Sequence, residues 1–269
     1  MNKKRSIIIF VLLIVVLIVG IILVGGTQEK TESIKEIMRD AVLHENDRIN
    51  VFGIFNANPG LVAAFAVTAI TLVFSLIVRI FVIPKFKNKP KGFQLVLEMC
   101  VGYFDKLSKS NSPHRNKFLG AYVFAAGYYI FVSTMLEMLG LQAVSANGAS
   151  VSLPAPLSDI NGAIVMGVFS YGVILIGGLV GNGFKGFANA LKDFSLPISM
   201  SFRLFGALLS GALVTELVYY YTAMNYVVPI IVGVMFTILH AVIQAYVLTM
   251  LVALFYGESN EKKEKRVKA

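Results

Sequence analysis

The chain has 269 residues, of which 57% are hydrophobic and only 14% are charged. Soluble domains carry roughly 25% charged residues, and a mean hydropathy of +0.75 is too high for a soluble fold. The sequence is therefore expected to be an all-α integral membrane protein, since a helix satisfies its own backbone in lipid. The net charge of +9 does not favour nucleic-acid binding, because Lys and Arg cluster beside apolar segments as topology signals do.

Six apolar stretches are long enough to cross a membrane, for which a helix needs about 20 residues. The fold is therefore expected to have about six membrane helices, including an extra one at the N-terminus. In chain order the stretches are 6–26, 60–83, 118–142, 161–183, 196–222 and 226–256. A cleaved signal peptide is the alternative for the first stretch, but its long apolar run, with no A-x-A site after it, favours a retained anchor.

Basic residues set the expected orientation. Eight Lys and Arg residues fall in 84–117 and five in 257–269, whereas 143–160 has none. Because positive loops stay inside, the C-terminus is expected to be cytoplasmic, as suits a bacterial plasma membrane. The polar segment 27–58 is expected to form a small external helix, and 92–106 a helix along the cytoplasmic face.

The last two stretches are longer than the bilayer is thick. As helices they would reach about 40 and 46 Å, against a hydrocarbon core of about 30 Å. Residues 223–225 join them, so they are expected to form a long, tilted antiparallel hairpin. Ordinary packing gives no reason for this excess length, which makes it a clue to function.

Two arginines lie in the apolar stretches. Arg79 is close to the inner end of its span and is expected to snorkel to the interface. Arg203 lies about eight residues into the next-to-last span, where a charge costs at least about 2.5 kcal/mol. A functional charge is favoured there over an Arg capped by backbone carbonyls, because Arg stays protonated. Small residues that let another helix approach surround it at helical spacing: Ser199, Gly206, Ala207, Ser210 and Gly211.

Three acids lie toward the outer half of the membrane. Glu216 follows Arg203 by 13 residues on a different helix face, Glu137 is near the outer end of its span, and Asp159 precedes the next span. Together they suggest one aqueous inlet. The alternatives are a helix N-cap for Asp159 and lone interfacial acids for the two glutamates.

A histidine and a glutamine lie in the last span. Histidine is the side chain suited to proton relay at physiological pH, which makes His240 a candidate relay group, although a satisfied core histidine is the alternative. Its depth is expected to be close to that of Arg203. Gln244 is one turn further along the same face, from which it can hydrogen-bond across the hairpin.

No cofactor or metal is expected. Residues 181–186 fit the pattern G-x-G-x-x-G, but they follow a membrane span instead of a strand, which excludes a dinucleotide fold.

Four motifs in the chain resemble subunit a of the rotary F-type ATP synthase. Residues 199–211, SMSFRLFGALLSG, resemble its Ser-x-x-x-Arg-Leu-Phe-Gly-Asn-x-x-Gly signature, and residues 243–249, IQAYVLT, resemble its last-helix motif. Phe93-Gln94 with Glu98 and the segment 154–161, PAPLSDIN, resemble two further family segments. The matches follow the family's order across residues 60–256.

The resemblance implies a non-catalytic subunit whose proton-channel domain is 59–258, with an anchor and external segment at 1–58 and a charged cytoplasmic tail at 259–269. It implies that Arg203 faces a rotating ring of c subunits between two aqueous half-channels, and that Gln244 holds or orients it. The implied partners are the c ring, the b-subunit peripheral stalk, other synthase subunits and membrane lipid, with no nucleic acid.

The sequence departs from the family pattern at the outer half-channel. Ala207 and Ala212 stand where the family has Asn and often a carboxylate, and Thr237 stands where His or Glu is common. Glu137 replaces an Asn, while Glu216 and His240 each come one turn later than the usual groups. We infer a rewired outer half-channel that uses Glu216, His240 and Glu137.

Two other classes compete with this interpretation. A secondary transporter would use Arg203 to bind a small anion, but it should show repeated halves, and 60–140 does not repeat in 160–256. A purely structural membrane protein would have no need of an arginine in the bilayer.

Overall fold

The computed structural model describes most of the chain downstream of the first apolar stretch. The described residues are 35, 39, 49–51, 55–113, 117–144, 150–220 and 228–260. The predicted span 6–26 and the tail beyond residue 260 lie outside them. The helices are α1 (Pro59–Ile77), α2 (Phe93–Asn111), α3 (Lys117–Glu137), α4 (Ile160–Asn182), α5 (Phe184–Lys192), α6 (Ser195–Tyr220) and α7 (Val228–Asn260), and the strands are β1 (Ile49–Val51), β2 (Phe55–Ala57), β3 (Gln142–Val144) and β4 (Ser150–Ser152).

Five of the described helical segments are long and apolar enough to cross a membrane. They confirm the predicted all-α membrane class and correspond to the last five of the six predicted spans. The first segment continues α1 through a π-helical turn at Val78–Val82 and a 3-10 turn at Ile83–Lys85. The segments are Pro59–Lys85, Lys117–Glu137, Ile160–Asn182, Ser195–Val218 and Ile230–Asn260.

Two short antiparallel strand pairs stand outside the helices. β1 pairs with β2, and β3 pairs with β4 in the connection between α3 and α4. The expectation of a helix in 27–58 is therefore wrong for residues 49–51 and 55–57, where strand pairing satisfies the backbone groups instead. The predicted span 118–142 is also too long, since α3 ends at Glu137 and Gly140 turns with φ +58°. β1 contacts β3, so the two strand pairs lie at the same end of the helix bundle. We call that end the hairpin side, and we call the opposite end the lysine-rich side.

The core lies among α3, α4, α6 and α7, with α1 packed more lightly on α3. Small residues allow the close contacts. A side chain on Gly127 of α3 would come within 3.0 Å of Thr249 on α7, and one on Gly167 of α4 would strike Ser201 on α6. Such positions let helix backbones approach where the bilayer supplies little force for association.

The glycines of the G-x-G-x-x-G match serve helix packing. Gly183 has φ +63° and turns the chain from α4 into α5, in place of the loop expected after residue 183. Gly181 lies against Asn260 of α7, and Gly186 lies against the backbone of Gly178 in α4. The Tyr171 hydroxyl donates to the Ala190 carbonyl at 3.1 Å and holds α5 along α4.

Helix α2 is the amphipathic helix predicted at 92–106, extended to Asn111. Its second half packs on α3 and α7, with Phe104 against Gly127. Its first half carries exposed apolar side chains such as Phe93 and Val96. The Gln94 amide donates to the Lys87 carbonyl at 2.8 Å and accepts from the Lys87 N–H at 3.1 Å, which fixes the bend between α1 and α2.

Candidate functional site

One side of α6 is exposed along more than three turns. Ser199, Arg203, Gly206 and Ser210 lie at intervals of four, three and four residues, which is the spacing of one helix face, and all four are exposed. A side chain built on Gly206 would meet no atom within 4 Å. We call these four residues the open face, because it points away from the rest of the described chain.

The Arg203 charge on the open face has no counter-ion in the described part of the chain. The ion pair found there joins Lys109 and Asp105 on α2, and Arg203 takes part in none. A guanidinium inside a membrane span is costly unless it is paired. The geometry therefore leaves Arg203 able to bind a carboxylate that another molecule presents.

The predicted stripe of small residues divides between two faces of α6. Ser199, Gly206 and Ser210 lie on the open face, whereas Ala207 and Gly211 are partly buried. A side chain on Gly211 would come within 3.7 Å of the Nδ1 atom of His240 on α7. Gly211 therefore lies beside an internal histidine and does not belong to the open face.

A cavity of about 370 Å³ lies between α3, α6 and α7 near the hairpin side. It brings together Glu137 at the end of α3, Glu216 on α6 and His240 on α7. Three threonines add hydroxyl groups, and none of the described lining residues is Lys or Arg. We call this space the polar cavity. A space of this size and polarity can hold several water molecules, and its titratable groups can exchange protons with them.

The ring of His240 is held on α7 itself. Its Nδ1 atom lies 2.7 Å from the Phe236 carbonyl, and the two rings stack with centroids 5.6 Å apart. The expectation that His240 shares the depth of Arg203 is wrong. His240 lies opposite Gly211, which follows Arg203 by eight residues, about 12 Å along the helix axis.

Gln244 is buried on α7. It lies one turn from His240, on a helix that runs antiparallel to α6. Gln244 is therefore level with Ala207, about one turn from Arg203. In the described residues no hydrogen bond joins Gln244 to Arg203. The structure therefore places the two residues in neighbouring turns without a direct bond between them.

Asp159 lies apart from the polar cavity and caps α4. Its Oδ1 accepts from the Asn161 N–H at 2.9 Å and from the Asn161 side-chain amide at 3.1 Å. Its side chain also lies against Gly60, in the first turn of α1. The N-cap alternative is the geometry observed, and the polar cavity brings together Glu137, Glu216 and His240 without Asp159.

Three residues around the cavity were not predicted from the sequence: Thr134, Thr215 and Phe236. Two of them could have been predicted. Thr215 is next to Glu216, and Phe236 precedes His240 by four residues, a spacing that places two side chains on one helix face. Thr134 comes from a third helix, and no local pattern connects it to the others.

Residues 61–257 match the family of the ATP synthase A chain. The chain belongs to this family. It is therefore a multi-pass membrane subunit a of the F-type ATP synthase, in the proton-transporting sector that serves ATP synthesis, and it associates with other synthase subunits. Both the open face and the polar cavity lie inside the matched range, and the predicted span 6–26 lies before it.

Proposed function

We propose that this A chain is the stator that carries protons to and from a ring of c subunits through two aqueous half-channels. Proton flow turns the ring and couples to ATP synthesis, while the chain itself breaks no bond. In this proposal 59–258 is the channel domain, 1–58 an anchor with an external segment, and 259–269 a cytoplasmic tail.

The observation that carries the proposal is that Arg203 is exposed and has no counter-ion among the residues that the structure describes. A ring carboxylate is the counter-ion of suitable chemistry, because it can bind a guanidinium and can also release and take up a proton. The positive charge favours the ionised carboxylate beside it and opposes direct proton leakage past it. Gly206 and Ser210 leave room for a ring helix to approach.

The polar cavity supports an outer half-channel on the hairpin side. The Lys-rich connection after α1 and the end of α7 lie at the other end of the bundle, and the positive-inside rule assigns that end to the cytoplasm. Glu216 and His240 would pass protons between external water and the ring, with Glu137 beside them. Gln244 would support the α6–α7 contact one turn from Arg203, as an indirect positioning group.

The length of the helices α6 and α7 suits the same role. α7 has 33 residues, which as a helix measure about 50 Å, well above a core of about 30 Å. Such a helix must tilt or extend beyond the core, and a tilted pair can follow the curved outside of a ring. Exposed apolar side chains elsewhere, as on α1, would meet lipid and the membrane helix of a peripheral-stalk b subunit.

The test is ATP-driven proton pumping in inverted membrane vesicles that contain the whole synthase. Arg203→Ala should abolish pumping while subunit content and ATP hydrolysis by the catalytic sector show that the complex is assembled. Arg203→Lys should also lose most pumping, because an ammonium lacks the planar fork of donors.

Arg79→Ala is the matched control. Arg79 also lies in a membrane segment and is exposed, but it belongs to the π-helical turn at the lysine-rich end of α1. Its loss should leave pumping near the level of the unchanged enzyme. Full pumping by Arg203→Ala would remove the stator role from this residue.

A further inference from the structure

The hydrogen bond of His240 identifies which ring nitrogen carries a proton. The Nδ1 atom lies 2.7 Å from the Phe236 carbonyl oxygen. A carbonyl can only accept, so Nδ1 must donate and must keep its hydrogen. In the neutral imidazole the other nitrogen, Nε2, is then the acceptor. The hydrogen-bond partner of the ring thus determines which tautomer is present, whereas the residue type alone does not.

Phe236 also fixes the plane of the ring. The phenyl and imidazole rings stack at 5.6 Å with 25° between their planes. On the other helix, Gly211 lies beside the imidazole, and a methyl group there would be at an ordinary contact distance of 3.7 Å from Nδ1. Turning the ring over would break the bond between Nδ1 and the Phe236 carbonyl.

We propose that Nε2 is the single proton-exchanging atom of His240 and that Phe236 is its positioning residue. The proposal rests on the proposed function, because it assigns an atom within the outer half-channel. The titratable groups that line the same cavity are Glu137 on α3 and Glu216 on α6, and no Lys or Arg is among its described lining residues.

The proton balance of this relay is simple. Nε2 accepts one proton from cavity water or a protonated carboxyl group, and the ring becomes an imidazolium with hydrogens on both nitrogens. Nε2 then releases a proton to the next acceptor, while Nδ1–H stays bonded to the Phe236 carbonyl. The original tautomer returns after each transfer, so no ring flip or tautomer exchange limits the relay.

The direct test is ¹⁵N nuclear magnetic resonance of histidine-labelled ATP synthase in lipid vesicles. The chain has three histidines, so the difference spectrum between the unchanged enzyme and His240→Gln isolates the signal of His240. We expect a neutral form protonated at Nδ1, with an Nε2 signal that moves as the pH is lowered while the Nδ1 signal stays that of an N–H. A neutral form protonated at Nε2 would overturn the proposal.

A functional test compares two neutral amides in the vesicle assay. Gln at position 240 places its amide close to the position of Nε2, and Asn places its amide close to that of Nδ1. We expect His240→Gln to pump roughly tenfold faster than His240→Asn, about the value of one hydrogen bond to the water chain. Equal losses in both variants would overturn the assignment to Nε2 while leaving His240 on the proton path. Unchanged pumping in both would remove His240 from the path and overturn the proposal with it.

Ring variants test the positioning role of Phe236. Phe236→Tyr keeps an aromatic ring for stacking and should retain the pH profile of pumping, whereas Phe236→Leu should shift that profile. Ile238→Leu, at an exposed position two residues along α7, is the matched control. A pH profile that is the same for Phe236→Leu and the unchanged enzyme would contradict a positioning role.

Discussion

The two faces of α6 differ in what they meet. The open face exposes Arg203 and leaves space above Gly206, and in the proposed function a ring carboxylate pairs with this arginine. The face toward α7 contacts His240 at Gly211 and opens into the polar cavity at Glu216. One helix thus separates the fixed charge of Arg203 from the titratable groups of the polar cavity.

This difference explains how small residues serve two purposes on one helix. On the open face they leave space that a partner can enter, and on the cavity face Gly211 contacts a histidine of the same chain. Substitutions should therefore have different consequences on the two faces, although the residues replaced are equally small.

Filling the open face should have the largest effect. Gly206→Leu places a branched side chain where a ring helix would approach, and displacement of the reacting groups by about 1 Å can cost on the order of 100-fold in rate. ATP-driven pumping in vesicles with normal subunit content measures this loss. Gly172→Leu on α4 is the matched control, since Gly172 also has no neighbour within 4 Å of a built side chain. Equal pumping by the two variants would remove the distinction between the open face and an ordinary exposed position.

Neutralising the cavity face should have the next largest effect. Glu216→Gln combined with His240→Ala removes two of its three titratable groups and should slow pumping by more than about tenfold, equivalent to more than about 1.4 kcal/mol of barrier. Water in the cavity still carries some protons, so the loss is smaller than on the open face. Glu98→Gln on α2 is the control, and unchanged proton flux in the double variant would show that the cavity is not the inlet.

Enlarging Gly211 should have a graded effect. In Gly211→Ala the new methyl group lies at an ordinary contact distance of 3.7 Å from His240, and pumping should be nearly unchanged. Gly211→Val adds two methyl groups against the imidazole, and overpacking of this kind costs about 1–3 kcal/mol. The recovered amount of complex and its pumping rate measure the effect. A larger loss of pumping in Gly211→Ala than in Gly211→Val would contradict the contact between Gly211 and His240.

Changing Asp159 should have the smallest effect on pumping. Asp159→Asn keeps a good N-cap for α4 and should pump normally, whereas Asp159→Ala should cost about 1 kcal/mol of stability. The thermal unfolding midpoint of the solubilised enzyme measures the second effect. Loss of pumping in Asp159→Asn, with the complex intact, would return Asp159 to the proton path.

Much of the fold followed from the length and polarity of apolar runs. These runs predicted the helices α3, α4, α6 and α7, because a helix needs a long apolar run to cross the lipid whichever helices it packs against. Three-residue strands such as β1 have no periodicity long enough to detect. The stop of α3 at Glu137 depends on the turn at Gly140, which a hydropathy window does not register.

The candidate site was only partly predictable for a related reason. Arg203 stands out by its charge alone, and the spacing of Ser199, Gly206 and Ser210 places them on its face. The contact between Gly211 and His240 depends on the register between two helices, which side-chain packing sets and one sequence does not reveal. Asp159 illustrates the opposite case. Its position just before a predicted span already indicated the helix N-cap that the structure shows.

Cysteine cross-linking tests the central claim most directly. In a Cys100→Ser background, which removes the single native cysteine, Ser210→Cys on the open face is oxidised in membranes whose c subunits carry a cysteine about two turns from the ring carboxylate, toward the hairpin side. That position matches the two turns between Arg203 and Ser210, as a disulfide requires. The account predicts a disulfide between the two subunits for Ser210→Cys and none for Leu208→Cys, two residues away and buried. A cross-link from Leu208→Cys, with none from Ser210→Cys, would contradict the assignment of the open face to the ring.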